Sequence, residues 1–328
     1  MKTSKRAVLA AAAAMVMLAS VGRSGAQEAP YPSKPINLIV PAPPGGVVDV
    51  VARLVGDRMA EVLKASVVIE NKPGAGGTLG AMAAARAKPD GYTLMVGGGA
   101  TQIFGPAMYA KPGYDGQKSF VPVAQFSSGP LVVVVDAKSK AQDLRGLIAE
   151  LKAAGDKANY GNNGNGSLPH LAGELFKRAN DLQYVQVPYR GGPEVVTSLV
   201  GGDLAFSINH IPVVKGALDG GRLRALATTG AQRTSGFANL PTAAEAGVPN
   251  FEATAWFGLF APAGTPASVV DVLSQAVAAV MKRDDIRARL LAQGDEVVYR
   301  NPRDFAAHIQ AESDRWTPLI KAARISAE

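Results

Sequence analysis

The 328 residues hold 34 Lys and Arg against 27 Asp and Glu, 36 glycines, few aromatics and no cysteine. The missing cysteines exclude disulfides, thiolate metal sites, a cysteine nucleophile and a lipidated cysteine anchor. The formal charge of +7 is unevenly spread: Lys2, Lys5, Arg6 and Arg23 fall in the first 26 residues, which hold no acid, so the remainder carries +3. That excess is too small and too scattered for a nucleic-acid footprint.

Residues 1–26 read as a cleavable signal peptide. A basic start is followed by an apolar run over 7–21 and by Ser24-Gly25-Ala26, the small residues a signal peptidase needs, with cleavage expected after Ala26. The run is short for a spanning helix, and no later segment is apolar enough to span. An unanchored, cysteine-free export product is expected in the periplasm. About 300 remaining residues exceed one ordinary core, so two domains are expected.

From 36 onward, strand and helix patterns alternate. A β-branched run over 36–40 ends at Pro41 and reads as a buried strand. A helix is predicted over 48–64, with Val51, Leu54, Val55, Met59 and Val62 at helical spacing. Strands at 67–70 and 92–96 flank a helix at 79–87. This strand–helix alternation predicts a parallel sheet with right-handed crossovers. After a loop-rich stretch at 111–120 the pattern restarts. Strands are predicted at 131–135, up to 161, and at 184–187, 204–208 and 223–228. Helices are predicted at 144–153, 169–178, 195–200 and 213–219. The last third offers a strand at 256–260 and helices at 266–281 and 305–321. Without a low-complexity linker, the segments joining the halves are expected to be strands able to act as a hinge.

Three glycine-bearing loops, 41–49, 73–80 and 161–170, stand where strands end and helices begin. Ligands of open α/β sheets gather there, and helix N-termini offer unpaired N–H groups suited to carboxylates. Gly74-Ala75-Gly76-Gly77-Thr78-Leu79-Gly80 misses the dinucleotide fingerprint because Leu79 takes the third glycine position, and no Walker loop is present. Ser167 lacks the flanking Gly-x-Ser-x-Gly, and His170, His210 and His308 are scattered without a zinc motif. His170 follows a glycine loop, where it either faces a ligand or caps the helix; His308 reads as structural. Asp49 is placed to cap the first helix or to touch ligand. Tyr189 and Arg190 offer a hydroxyl and a cation, and Trp256 and Phe257 are expected to pack at the junction of the halves.

In their order, these loops resemble the solute receptors of tripartite tricarboxylate transporters, the Bug family. The carrying residues begin with Tyr31-Pro32-Ser33-Lys34-Pro35, then Pro41-Ala42-Pro43-Pro44-Gly45-Gly46 with Asp49 and Arg53. Glu70-Asn71-Lys72-Pro73-Gly74 and Pro89-Asp90-Gly91-Tyr92 follow, then Gly164-Asn165-Gly166-Ser167 with His170, and Val187-Pro188-Tyr189-Arg190-Gly191. Pro241-Thr242 with Glu245-Ala246-Gly247, and Ala261-Pro262-Ala263-Gly264, complete the set.

The resemblance implies an α/β, two-lobed periplasmic binding protein fold of type II-like form, each lobe a mainly parallel sheet flanked by helices. Lobe one is expected over 27–127 and 248–328, lobe two over 128–247. It implies no catalysis, no cofactor and no metal. The expected role is capture of a small organic carboxylate, a di- or tricarboxylate or an aromatic acid, and its delivery by a monomer to a two-subunit membrane permease. Alternatives are service to a two-component sensor, or hydrolysis using Ser167 with His170.

Contacts carried over from the family would be Ala42, Gly45, Gly46, Asp49, Gly76, Gly77 and Thr101 from lobe one. Asn162, Gly164, Ser167, His170, Tyr189 and Asn209 would come from lobe two. Ala42 and Val48 depart from the family's bulky aromatic and its Thr or Ser, which implies more apolar room for a larger or aromatic acid.

Overall fold

The computed structural model describes residues 31–249 and 251–326. The signal-peptide expectation lies outside them. The chain from Lys34 onward forms one compact unit.

That unit starts with β1 (Ile36–Val40), α1 (Val47–Leu63), β2 (Val67–Asn71), α2 (Thr78–Ala85) and β3 (Thr93–Gly98). β1 lies between β2 and β3 and is parallel to both. Its side chains are almost all buried, as expected of a strand covered on both faces. α1 packs Val51, Leu54, Val55 and Met59 inward and stops at Lys64, which takes a left-handed conformation. β3 runs into a turn of π-helix (Ala100–Phe104) and the short α3 (Gly105–Met108).

β4 (Phe120–Asp136) is a 17-residue strand. Its first part pairs with β9 and β10, and Leu131 to Asp136 pair with β7 and β8, so one strand serves both sheets. Only its second part is evident in the sequence, because Pro122, Gly129 and Pro130 read as strand breakers. In the fold, Pro122 sits at a register shift and Pro130 is the last residue paired with β9. Val132, Val133, Val134 and Val135 are fully buried, each contributing roughly 1.5 kcal/mol or more.

The second sheet continues with α4 (Leu144–Ala154), β5 (Asn159–Asn162), α5 (Leu168–Ala179), β6 (Val185–Pro188), α6 (Gly192–Gly201), β7 (Phe206–His210), α7 (Ile211–Asp219) and β8 (Leu223–Thr228). β5 is parallel to β6 and β7. Tyr160, Phe176, Tyr184, Phe206 and Phe251 form its aromatic core. Asp143 caps α4 by accepting from the Gly146 N–H at 2.7 Å.

The chain returns through β9 (Thr254–Pro262), antiparallel to β3 and β4, then α8 (Ala267–Met281), α9 (Asp284–Ala292), β10 (Glu296–Arg300) and α10 (Pro302–Ala322). The sequence pattern does not announce α9 or β10. α9 buries only Ile286 and Leu290, and β10 has no fully buried residue, so neither shows a strong period.

The two crossings meet at Thr229, which is fully buried. Its hydroxyl accepts from the Leu131 N–H at 2.9 Å and donates to the Ala253 carbonyl. The Thr229 N–H reaches the Leu131 carbonyl and the Ala253 N–H reaches the Thr229 carbonyl, both at 2.9 Å. Beside them, the carboxylate of Asp295 packs against Gly129 of β4 with Oδ2 unpartnered, and burial raises its pKa to about 7.

Candidate functional site

A cleft of about 1100 Å³ opens between the sheets. Its walls are the loops leaving β1, β3, β5, β6 and β7, the loop before α2, and the start of β9. The first turns or preceding loops of five helices, α1, α2, α5, α6 and α7, border it. Each such end carries unpaired amide donors and partial positive charge. None of the lining residues is Asp or Glu, and Arg190 is the sole lysine or arginine among them.

The first sheet presents mostly main chain. Gly77 has φ +97°, and a Cβ there would stand 3.2 Å from the Pro41 carbonyl. Glycine is therefore required for the 73–80 loop to lie against the 41–46 loop. Asp49 holds the latter from behind, and it does not line the cleft. Its Oδ2 accepts from the Gly45 N–H (2.8 Å) and Arg53 Nε (2.9 Å), its Oδ1 from Asn71 Nδ2 (2.8 Å). Asn71 also donates to the Ala42 carbonyl at 3.0 Å. Burial pushes the Asp49 carboxyl up, yet bonds from Arg53, Gly45 and Asn71 together hold it below the usual carboxylate range. Thr101 lines the cleft, with its hydroxyl engaged at 3.2 Å by the main chain of Gly98.

The second sheet presents side chains. Ser167 caps α5: Oγ accepts from the His170 N–H at 3.2 Å and donates to the Gly164 carbonyl at 2.7 Å. His170 turns away, its Nδ1 accepting from the Gly166 N–H at 3.2 Å, and burial lowers its pKa. The imidazole is thus bonded to a neighbouring amide, not aligned on the Ser167 hydroxyl. Asn162 is fully buried, accepting from the Gly164 N–H and donating to Gln186. Asn209, also fully buried, forms a reciprocal amide pair with Asn163 at 2.9 Å in each direction.

Of the thirteen residues carried over by resemblance, Ala42, Gly45, Gly46, Gly76, Gly77, Thr101, Gly164, Ser167 and Tyr189 border the cleft. Asp49, Asn162, His170 and Asn209 do not border it; each hydrogen-bonds a residue that does or that adjoins one. Sequence reasoning passes over Gly97, Gly98 and Gly99, although three glycines after a strand carry the same signal as the other loops. It weighs His210 only as a metal ligand, and gives Val213 and Phe104 no place at the site. Trp256 stands edge-on to Phe305 and His308 of α10, and both Trp256 and Phe257 line the cleft. Thr254 and Trp256 further border a second cavity of about 300 Å³, on the side of His308 and Glu312.

Two sheets bridged by crossing strands, with a cleft ringed by helix starts, define a two-lobed α/β solute-binding protein of the periplasmic type. The chain belongs to the tripartite tricarboxylate transporter family of receptors: residues 51–325 match the family described as "Tripartite tricarboxylate transporter family receptor". Receptors of this family are periplasmic. Among the described residues no helix is long and apolar enough to cross a membrane. Protein BugT of Bordetella pertussis is 34% identical over 292 residues, covering 89% of this chain and 90% of its own. The R. palustris protein Rpa4515, solved with adipate, is 33% identical with a TM-score of 0.84, over 90% of this chain and 99% of that one. MatC of Rhodopseudomonas palustris, solved with malate, is 33% identical with a TM-score of 0.80, over 88% and 100%.

Proposed function

We propose that the protein captures a small organic carboxylate in the cleft and hands it, in the closed form, to a two-subunit membrane permease. One observation carries this reading: five helix starts converge on a cleft that contains no acidic side chain among its described lining residues. Amide dipoles aimed into a partly dehydrated space favour an anion, and an acid beside them would oppose it. The adipate and malate held by the two R. palustris neighbours support the same chemistry.

Closure follows from ligand touching both walls, because only the closed state offers both sets of contacts. The moving bodies are taken as residues 27–127 with 248–328, and 128–247. The change of partners along β4 after Pro130 supports a boundary there. The protein acts without chemistry on its cargo, a view supported by the Ser167 hydroxyl being committed to a helix cap and the His170 ring to the Gly166 amide.

Trp256 lines the cleft, so titration with carboxylates followed by tryptophan fluorescence and calorimetry tests capture directly. Saturable binding of at least one organic acid, with a raised melting temperature, is expected. Binding of sugars or cations in place of acids refutes it. Uptake by vesicles holding the permease, with and without this protein, tests delivery.

A further inference from the structure

Among the polar side chains of the cleft, that of His210 has no task within the fold. His210 closes β7 and precedes α7, and its ring lines the cleft. Successive residues of a strand point to opposite faces. Asn209 accordingly turns inward to its partner Asn163, and His210 turns to the cleft. Among the described residues, neither ring nitrogen of His210 meets a hydrogen-bond partner, and neither is sealed off as a buried orphan. No carboxylate lines the cleft to favour its charged form, and burial alone lowers its pKa to about 4. At neutral pH the ring is therefore uncharged and offers one donor and one acceptor.

Its surroundings set what it can read. Pro212 and Val213, the next lining residues along α7, are apolar, and Pro212 has no N–H to give. Arg190, the only lysine or arginine among the described lining residues, stands exposed. A charged ligand group beside His210 would lose water without a counter-charge from the ring. A hydroxyl or carbonyl would lose far less and would satisfy one imidazole nitrogen.

We propose that His210 is a specificity-determining residue that recognises an uncharged hydroxyl or carbonyl group on the ligand, remote from the carboxylate held at the helix starts. The inference rests on carboxylate capture by this cleft and deepens it: the cargo is a hydroxy- or oxo-acid. Discrimination then resides in the second sheet's wall, while the first sheet's amides serve any carboxylate alike. A site built to bond a hydroxyl rejects the analogue lacking it, because its own polar group is left unpaired.

The test is calorimetric, at pH 7.5, on the full protein and on His210→Ala and His210→Gln. Two matched pairs serve as probes: adipate with 3-hydroxyadipate, and benzoate with 4-hydroxybenzoate. In whichever pair binds, the hydroxy acid is expected to bind at least about tenfold tighter than its parent. His210→Ala is expected to abolish that ratio while changing the parent's affinity less than about threefold, and His210→Gln, with its own donor and acceptor, to restore part of it. A hydroxyl preference that persists in His210→Ala, or equal affinities in the intact protein, overturns the proposal and leaves carboxylate capture standing. Failure of all four acids to bind, where the wider titration finds an organic acid without hydroxyl or oxo group that does bind, overturns the proposal and leaves carboxylate capture standing. Circular dichroism of both variants shows that a lost ratio does not reflect a lost fold.

Discussion

The two walls of the cleft solve one problem by different means. The first sheet's wall is mostly glycine, proline, alanine and valine with the rings of Phe104, Trp256 and Phe257, and its polar side chains are few: Thr101, already engaged by its own main chain, Thr254, and Gln293 beside it. The second sheet's wall carries Asn163, Asn165, Ser167, Tyr189, Arg190 and His210. The difference has a cause in the helix starts: α5, α6 and α7 each have proline in their first two positions, which removes an amide donor, whereas α1 has none there. Where main-chain donors are kept, side chains recede; where they are lost, side chains return. Main-chain donors cannot drift under substitution, so one wall is suited to a constant group and the other to a variable one.

The comparison breaks most readily at Gly77. Gly77→Val puts a branched side chain at φ +97° and against Pro41. It is expected to cost on the order of 2–3 kcal/mol of stability and to abolish ligand binding. Full affinity in the folded variant would show that the first wall does not need its close-packed main chain.

The junction between the walls is tested through Asp295. Its raised pKa means that the folded chain holds the proton more firmly than the unfolded chain. The resulting stability is fully present below the unfolded value near 4 and is lost as pH rises through about 7. On the order of 2 kcal/mol is expected to disappear between pH 5 and pH 8.5 in urea titrations. Asp295→Asn should flatten that slope. An unchanged slope would place the titrating group elsewhere.

Thr229→Val removes the hydroxyl shared by both crossings and leaves the Ala253 carbonyl short of a donor. A loss of about 1–2 kcal/mol is expected by chemical denaturation, with ligand affinity altered less than stability. The smallest effect belongs to the second wall. Ser167→Ala deletes the α5 cap, costing about 1 kcal/mol in denaturation experiments, and is expected to change which acids bind best without ending binding.

Most helices and the parallel strands are legible in the sequence, because apolar periodicity and the Gly-Pro turns punctuate them unambiguously. The 17-residue β4 is not, since Pro122 and Pro130 announce breaks where the fold has a register shift and a change of partner. The site is legible as loops and blurred as residues. Asn209 and His210 are adjacent polar residues at a strand end, and only the pleat decides which faces the cleft. Asp49 carries an acid at a helix start, and sequence does not tell a brace from a contact. Some motifs that carry the resemblance are purely architectural. Thr242 and Glu245 cap one another, with N–H to side-chain bonds of 2.9 and 3.1 Å, and Arg233 holds Glu245 at 2.8 Å.

Trp256 and Thr254 border both the cleft and the second cavity. Trimming Trp256 to alanine would remove the bulkiest side chain common to the two linings and give cargo with a longer tail more room than the natural receptor offers. A side chain common to two cavities is thus a natural starting place for redesigning how long a molecule this scaffold accepts.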